Sequence, residues 1–157
     1  MGLRQQLRDA GLRVTQPRVA ALEWLSAHPH STAEQVMAAL RERLGSVSKQ
    51  AVYDVLSACT TVGLLRWIEL AGHPAQFETR TTDGHHHVVC RGCRRTEDVD
   101  CVVGSAPCLT SADTNEFVVD ESEVVFWGRC PACHSATGGG PAVTELSVKN
   151  HCEEERA

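Results

Sequence analysis

The sequence predicts an α+β protein in two halves: a helical half closed by a β-hairpin, then a smaller α/β half tied together by four cysteines. Three observations predict it. Apolar residues recur at helical spacing through residues 3–63 and give way to strand-like runs over 64–79. Glycine, proline and capping residues punctuate that stretch where helices should start and stop. Two C-x-x-C pairs, Cys90-Arg-Gly-Cys93 and Cys130-Pro-Ala-Cys133, bracket the second half.

The elements follow in order. Leu3 to Ala10 reads as a short amphipathic helix ended by Gly11. Thr15 is placed to cap a second helix whose first turn holds Pro17, where a missing N–H costs nothing. Val19, Leu22 and Leu25 form its apolar stripe, and His28-Pro29 closes it. Ser31-Thr32-Ala33-Glu34 fits a capping box that opens a third helix through Val36, Met37, Leu40 and Leu44 to Gly45. Ser48 caps a fourth, with Val52, Leu56 and Cys59 or Thr60 on one face and Gly63 as the stop. Leu64–Leu70 and Gln76–Thr79 then read as a two-stranded hairpin turning at Gly72-His73-Pro74. Helices followed by a hairpin make a winged helix, in which the last helix enters the DNA major groove. Lys49, Gln50 and Tyr53 are its expected exposed readers. A small helical domain with no nucleic-acid partner would show the same periodicity.

Composition narrows the class. With 42% hydrophobic and 22% charged residues, the chain has the balance of a soluble globular protein. No run reaches the ~20 apolar residues that span a bilayer, so no membrane partner is expected. The stretch MGLRQQLRDAGLR lacks an apolar core and a cleavage site, which predicts a cytoplasmic protein without a signal peptide. Residues 1–80 carry nine Lys/Arg against seven Asp/Glu, and residues 81–157 carry six against thirteen. Any phosphate-facing surface therefore belongs to the first half.

Eight cysteines in a reducing compartment point to metal or redox chemistry rather than disulfides. Each C-x-x-C offers two thiolates from one tight knuckle, and two knuckles complete a tetrahedral shell for Zn²⁺. Cys90, Cys93, Cys130 and Cys133 are thus expected to hold one structural zinc per subunit. Four thiolates leave no open coordination position, so this zinc is not expected to be catalytic. The rival reading is a zinc-stabilised thiol redox protein. Cys59 is expected in the core, Cys101 and Cys108 as inert thiols rather than a switch, and Cys152 as incidental.

His85-His86-His87 supplies a second cluster. On a strand, residues 85 and 87 share a face and 86 points away. Two imidazoles there make half a site for Zn²⁺, Fe²⁺ or Mn²⁺, with Glu78, Asp83, Glu97, Asp98 and Asp100 as carboxylates within reach. A solvated histidine run is the plainer alternative.

Taken together, LRVTQPR (12–18), AHPHSTAEQV (27–36), SKQAVYDVL (48–56), FE (77–78), HHHVVCRGC (85–93) and WGRCPAC (127–133) resemble the ferric uptake regulator (Fur) family across about residues 3–134. Within it, VYD (52–54) and DVDC…APCL (98–109) resemble the actinobacterial branch of catalase-peroxidase repressors and their peroxide-sensing relatives. The resemblance implies a homodimeric, metal-dependent repressor of double-stranded operator DNA, not an enzyme. It implies a regulatory Fe²⁺ or Mn²⁺ site of His30, Glu78, His85, His87 and Asp98, and adds Arg13 and Arg18 to Lys49, Gln50 and Tyr53 as DNA-contacting residues. The domains it implies are a winged helix over 1–80, a hinge at 81–84 and a dimerisation and metal-binding domain over 85–134; the polar, glycine-rich and acidic composition of 135–157 predicts a disordered tail. Peroxide or redox sensing, with control of catalase-peroxidase genes, is the expected role, and iron-responsive control of uptake genes is the alternative.

Three departures from the family pattern matter. Positions that build a further metal site in some members are Gly84, Ser105 and Ser122 here, leaving only His86, so that site is not expected. Peroxide-sensing relatives favour aspartate where this chain has Glu78. Asp54 stands where iron-uptake regulators often carry arginine, and a carboxylate accepts from cytosine rather than guanine.

Overall fold

A computed structural model describes residues 2–70, 72–81, 85–100, 124–136 and 138. The chain divides into two compact units, Met1–Asp83 and Gly84–Ala157.

The first unit is built around four helices. Helix α1 (Leu3–Asp9) precedes α2 (Gln16–Ala27), which starts at an extended Thr15 with proline in its first turn. Strand β1 (Ser31–Thr32) leads into α3 (Ala33–Leu44). The capping box sits one residue later than the sequence pattern placed it. Thr32 Oγ1 accepts from the Gln35 amide at 3.3 Å, and Gln35 Oε1 accepts from the Thr32 amide at 2.8 Å. Ser31 is unavailable as the cap: its hydroxyl donates to the His28 carbonyl at 2.7 Å, and its backbone pairs with Phe77. Helix α4 (Lys49–Thr61) begins as expected, with Ser48 Oγ accepting from the Ala51 amide at 3.1 Å. Gly45 and Gly63 follow α3 and α4 at φ of +80° and +73°, a left-handed region that costs other residues strain.

The apolar stripes meet as a single core. Leu7, Leu22, Leu25, Val36, Leu40, Val52, Leu56 and Cys59 are all buried. Cys59 is the core thiol the sequence predicts, and burial pushes its pKa up, so it stays a protonated hydrophobe.

The wing is a three-stranded sheet in the order β1-β3-β2, rather than a two-stranded hairpin, with β2 (Arg66–Ile68) and β3 (Gln76–Glu78) antiparallel. Its first long strand is trimmed from the expected Leu64–Leu70 to three residues. The added strand, β1, was hidden because its pairing to β3 is long-range and only two residues long.

In the second unit β4 (His86–Cys90) is central, antiparallel to β5 (Thr96–Val99) and parallel to β6 (Val125–Gly128). A short helix, α5 (Pro131–Ala136), follows β6. No described helix is long and apolar enough to cross a membrane. Cys101, Cys108, Cys152, Gly84, Ser105, Ser122, most of the expected hinge and nearly all of the expected tail lie outside the described residues.

Candidate metal centres and nucleic-acid interface

The four knuckle cysteines converge because β4 and β6 run parallel, so both strands end at the same edge with Cys90 opposite Gly128. One pair starts at the last residue of β4 and the other two residues beyond β6. The Sγ atoms of Cys90, Cys93, Cys130 and Cys133 all lie within 4.8 Å of one another, and Cys93 Sγ to Cys130 Sγ is 3.7 Å. A tetrahedron with zinc–sulfur bonds of ~2.3 Å has edges of about 3.8 Å, so the sulfur spacing fits Zn²⁺.

The surroundings fit it as well. Backbone amides of Cys93 and Cys130 point at Cys90 Sγ, at 3.5 and 3.3 Å. Those two amides, in that order of effect, hold the Cys90 thiol down at about 5, stabilising a thiolate. Cys133 is pushed the other way, up to about 12, by sharing its proton with the sulfurs of Cys130, Cys93 and Cys90. Four thiolates cannot crowd together without a cation, and a bound dication would remove that last proton.

Gly92 completes the pocket. A Cβ there would stand 2.9 Å from Cys133 Sγ and 3.0 Å from Cys133 Cβ. Gly92→Ala is therefore expected to push Cys133 out of register and weaken zinc retention by about 10–100-fold, as changes around a metal's ligands do. Chelator competition on the purified protein measures it, and unchanged retention would show that the knuckle has room to give.

Two further clusters carry the expected regulatory ligands, one in each unit. In the first unit, pairing of Ser31 with Phe77 puts their outer neighbours, His30 and Glu78, together. His30 Nε2 lies 3.2 Å from a Glu78 carboxylate oxygen, and Glu78 is fully buried. His30 also holds a left-handed backbone at φ +60°, which is uncommon for a non-glycine residue and clusters at functional sites. In the second unit, His85 and His87 are buried with their rings 5.0 Å apart, while His86 turns to the other face against Phe126. The register sets His87 opposite Asp98. Each Nε2 of His85 and His87 is 3.8 Å from Asp98 Oδ1, beyond hydrogen-bond range. Two imidazoles and a carboxylate at that spacing can share one cation, and their nitrogen–oxygen chemistry suits Fe²⁺ or Mn²⁺.

The expected DNA face is the exposed side of α4. Lys49, Gln50, Tyr53, Asp54 and Ser57 are exposed at i, i+3 and i+4 spacing, opposite the buried Val52, Val55, Leu56 and Cys59. Lys49 Nζ sits 5.6 Å from the centre of the Tyr53 ring. Arg18 donates to the Arg13 carbonyl at 2.8 Å, bracing the turn before α2, while Arg13 itself is exposed. Two features escaped the sequence reading. Trp67 on the wing is 54% exposed and stacked on Phe77. It helps line a groove of about 480 Å³ between α4 and the wing, with Tyr53, Leu56 and Phe77. Gln50 is also bonded to Asp54, an i, i+4 pair that the spacing alone makes possible.

The profile of the ferric uptake regulator family matches residues 9–121. The chain belongs to that family. Among its relatives, it is 56% identical to the transcriptional regulator FurA of Mycobacterium tuberculosis over 129 residues, 82% of this chain and 88% of that protein. It is 54% identical to ferric uptake regulation protein 1 of Mycolicibacterium fortuitum over 121 residues, 77% and 75% of the two chains. Among solved structures, the ferric uptake regulator of Pseudomonas aeruginosa with manganese is 29% identical and superposes with a TM-score of 0.60, covering 83% of this chain and 99% of that one. Members of this family are transcriptional regulators, which sets aside the zinc-stabilised thiol redox protein. It also supports the predicted winged-helix and α/β architecture with its four-cysteine cluster.

Proposed function

We propose that this Fur-family regulator is a homodimeric, metal-dependent repressor that binds double-stranded operator DNA and releases it in response to peroxide. Residues 1–80 bind DNA, 81–84 form the hinge, and 85–134, with the end of α5 running on to Ala136, dimerise and hold metal. Cys90, Cys93, Cys130 and Cys133 hold the structural Zn²⁺. His30, Glu78, His85, His87 and Asp98 hold Fe²⁺ or Mn²⁺, and Arg13, Arg18, Lys49, Gln50 and Tyr53 face DNA.

The supporting observation is the segregation of ligand types. Soft thiolates are gathered in one cluster, and nitrogen and oxygen donors are paired in separate clusters. Such a division serves two metals with different jobs, one permanent and one exchangeable. A metal that needs donors from both the DNA-binding and dimerisation domains biases the protein toward one arrangement, by its differential affinity for that arrangement.

Ferrous iron reacts with peroxide to produce oxidants beside its ligands, whereas Mn²⁺ does not. The proposal is tested by anaerobic loading with Fe²⁺ or Mn²⁺ and anisotropy of labelled promoter DNA before and after peroxide. Release of the iron form alone is the expected result and assigns the switch to ligands such as His30 or His85. Release of both forms assigns it to thiols. Retention by both overturns peroxide sensing in favour of the iron-responsive reading, which the similarity to ferric uptake regulation protein 1 favours.

A further inference from the structure

We propose that Gln50 reads an adenine in the operator and that Asp54 is the positioning residue that makes it do so. The inference rests on the DNA-binding role of α4 and adds which base is read, by which atoms.

Gln50 Nε2 donates to Asp54 Oδ1 at 2.7 Å, one helical turn along the exposed face of α4. A glutamine amide has two chemically opposite ends, and its rotation normally exchanges them at little cost. A carboxylate accepts and does not donate, so Asp54 fixes which end is which: the nitrogen lies toward Asp54. One of the two Nε2 hydrogens is spent there. What remains is Oε1 and the second N–H, an acceptor beside a donor. That edge complements adenine in the major groove, where N6–H donates and N7 accepts.

Position supports the assignment. Gln50 is the second residue of α4, and the N-terminal residues of a recognition helix are the ones that reach base edges. Flanking Lys49 lies over the Tyr53 ring, which leaves Gln50 and Asp54 as a separate polar pair on the same face. The same contact revises the expectation for Asp54. Its Oδ1 accepts from Gln50, so an effect on sequence preference runs through the orientation of Gln50 in addition to any contact that Oδ2 makes with a cytosine amine. Guanine is disfavoured at the same position, because its O6 would meet Gln50 Oε1.

The test uses the full metal-loaded protein and its promoter DNA, with each adenine replaced in turn by 7-deazaadenine, which lacks only the N7 acceptor. For the wild-type chain, one adenine per half-site is expected to weaken binding about 5- to 150-fold on replacement. Gln50→Ala should bind both DNAs alike. Asp54→Ala, with zinc content and helicity unchanged, should lose most of the discrimination, and Asp54→Asn, whose carbonyl can still accept, should recover part of it. A general loss of affinity without loss of discrimination in Asp54→Ala would reduce it to a structural residue and overturn the proposal. So would a wild-type protein indifferent to every deaza substitution. A preference for cytosine that disappears with Asp54 but not with Gln50 would show direct readout by Asp54 instead. Should the wild-type chain bind no DNA in any metal state, the repressor reading itself fails; should it bind without sensitivity at adenine N7, only this inference fails.

Discussion

Cys130→Ser is expected to abolish zinc retention and unfold the second unit. The reason is the size of the missing term. Structural zinc in small domains contributes an apparent ~10–16 kcal/mol of binding free energy, which is as large as the whole stability of an ordinary domain. Among its described residues the second unit has little with which to replace it. Its described part is a three-stranded sheet with a six-residue helix, and that helix has no buried residue. Cys130 occupies the junction between β6 and α5, its amide donating to Cys90 Sγ and its sulfur 3.7 Å from Cys93. Losing that ligand leaves three sulfurs, one short of the tetrahedral four-thiolate shell that a structural zinc requires. The measurement is zinc per subunit by a colorimetric chelator, with unfolding followed through Trp127, which lies on β6 and carries the Arg91 guanidinium 5.2 Å from its ring. The first unit, with its own core of Leu22, Leu25, Leu40 and Leu56, should keep its helical signal. One zinc per subunit retained with unchanged unfolding would refute a structural role for the four-cysteine cluster.

How much of this was legible in the sequence depends on how local the determining contact is. Ser48 and the glycines at 45 and 63 act within a helical turn of themselves, and their residue types name their roles. The alternation of His85, His86 and His87 is equally local, and the strand displays it. The capping box slipped by one residue because Ser31 is claimed by a strand partner far along the chain, Phe77, which no local rule reveals. The same pairing made the wing three-stranded and brought His30 against Glu78; family resemblance alone had named His30, while Glu78 was one of five carboxylates within chain reach of the histidine cluster. The cysteine cluster is a middle case. Spacing disclosed two knuckles, but only the parallel pairing of β4 and β6 explains why they meet. The Gln50–Asp54 contact lies at an i, i+4 spacing that permits it, but both side chains are exposed, and spacing alone does not separate a bonded pair from two solvated groups.

His87→Ala is expected to leave the zinc in place and remove metal activation of DNA binding. His87 is fully buried, lies opposite Asp98 across the β4–β5 pair and has its Nε2 3.8 Å from that carboxylate. Under the proposed mechanism it is one of five donors to a metal whose only leverage is its differential affinity for the DNA-binding arrangement. A protein moved from about 1% to about 99% competent needs roughly 10⁴-fold tighter metal binding in the favoured state, and its apparent DNA affinity then rises about 100-fold. Deleting a donor from that site removes the differential term, so the variant should bind operator about 100-fold more weakly than wild type at equal Mn²⁺, converging on the metal-free protein. Removing a buried ring also leaves a cavity, which costs stability whatever its ligand role. Asp98→Ala separates the two effects, because Asp98 is partly exposed and its truncation empties little of the core. Both variants should hold one zinc per subunit while losing Mn²⁺ binding by calorimetry and operator binding by anisotropy. If Asp98→Ala and His87→Ala stay folded and Mn²⁺ still activates them to the wild-type affinity, the histidine–carboxylate cluster is not the regulatory site. The metal response would then have to arise elsewhere in the chain.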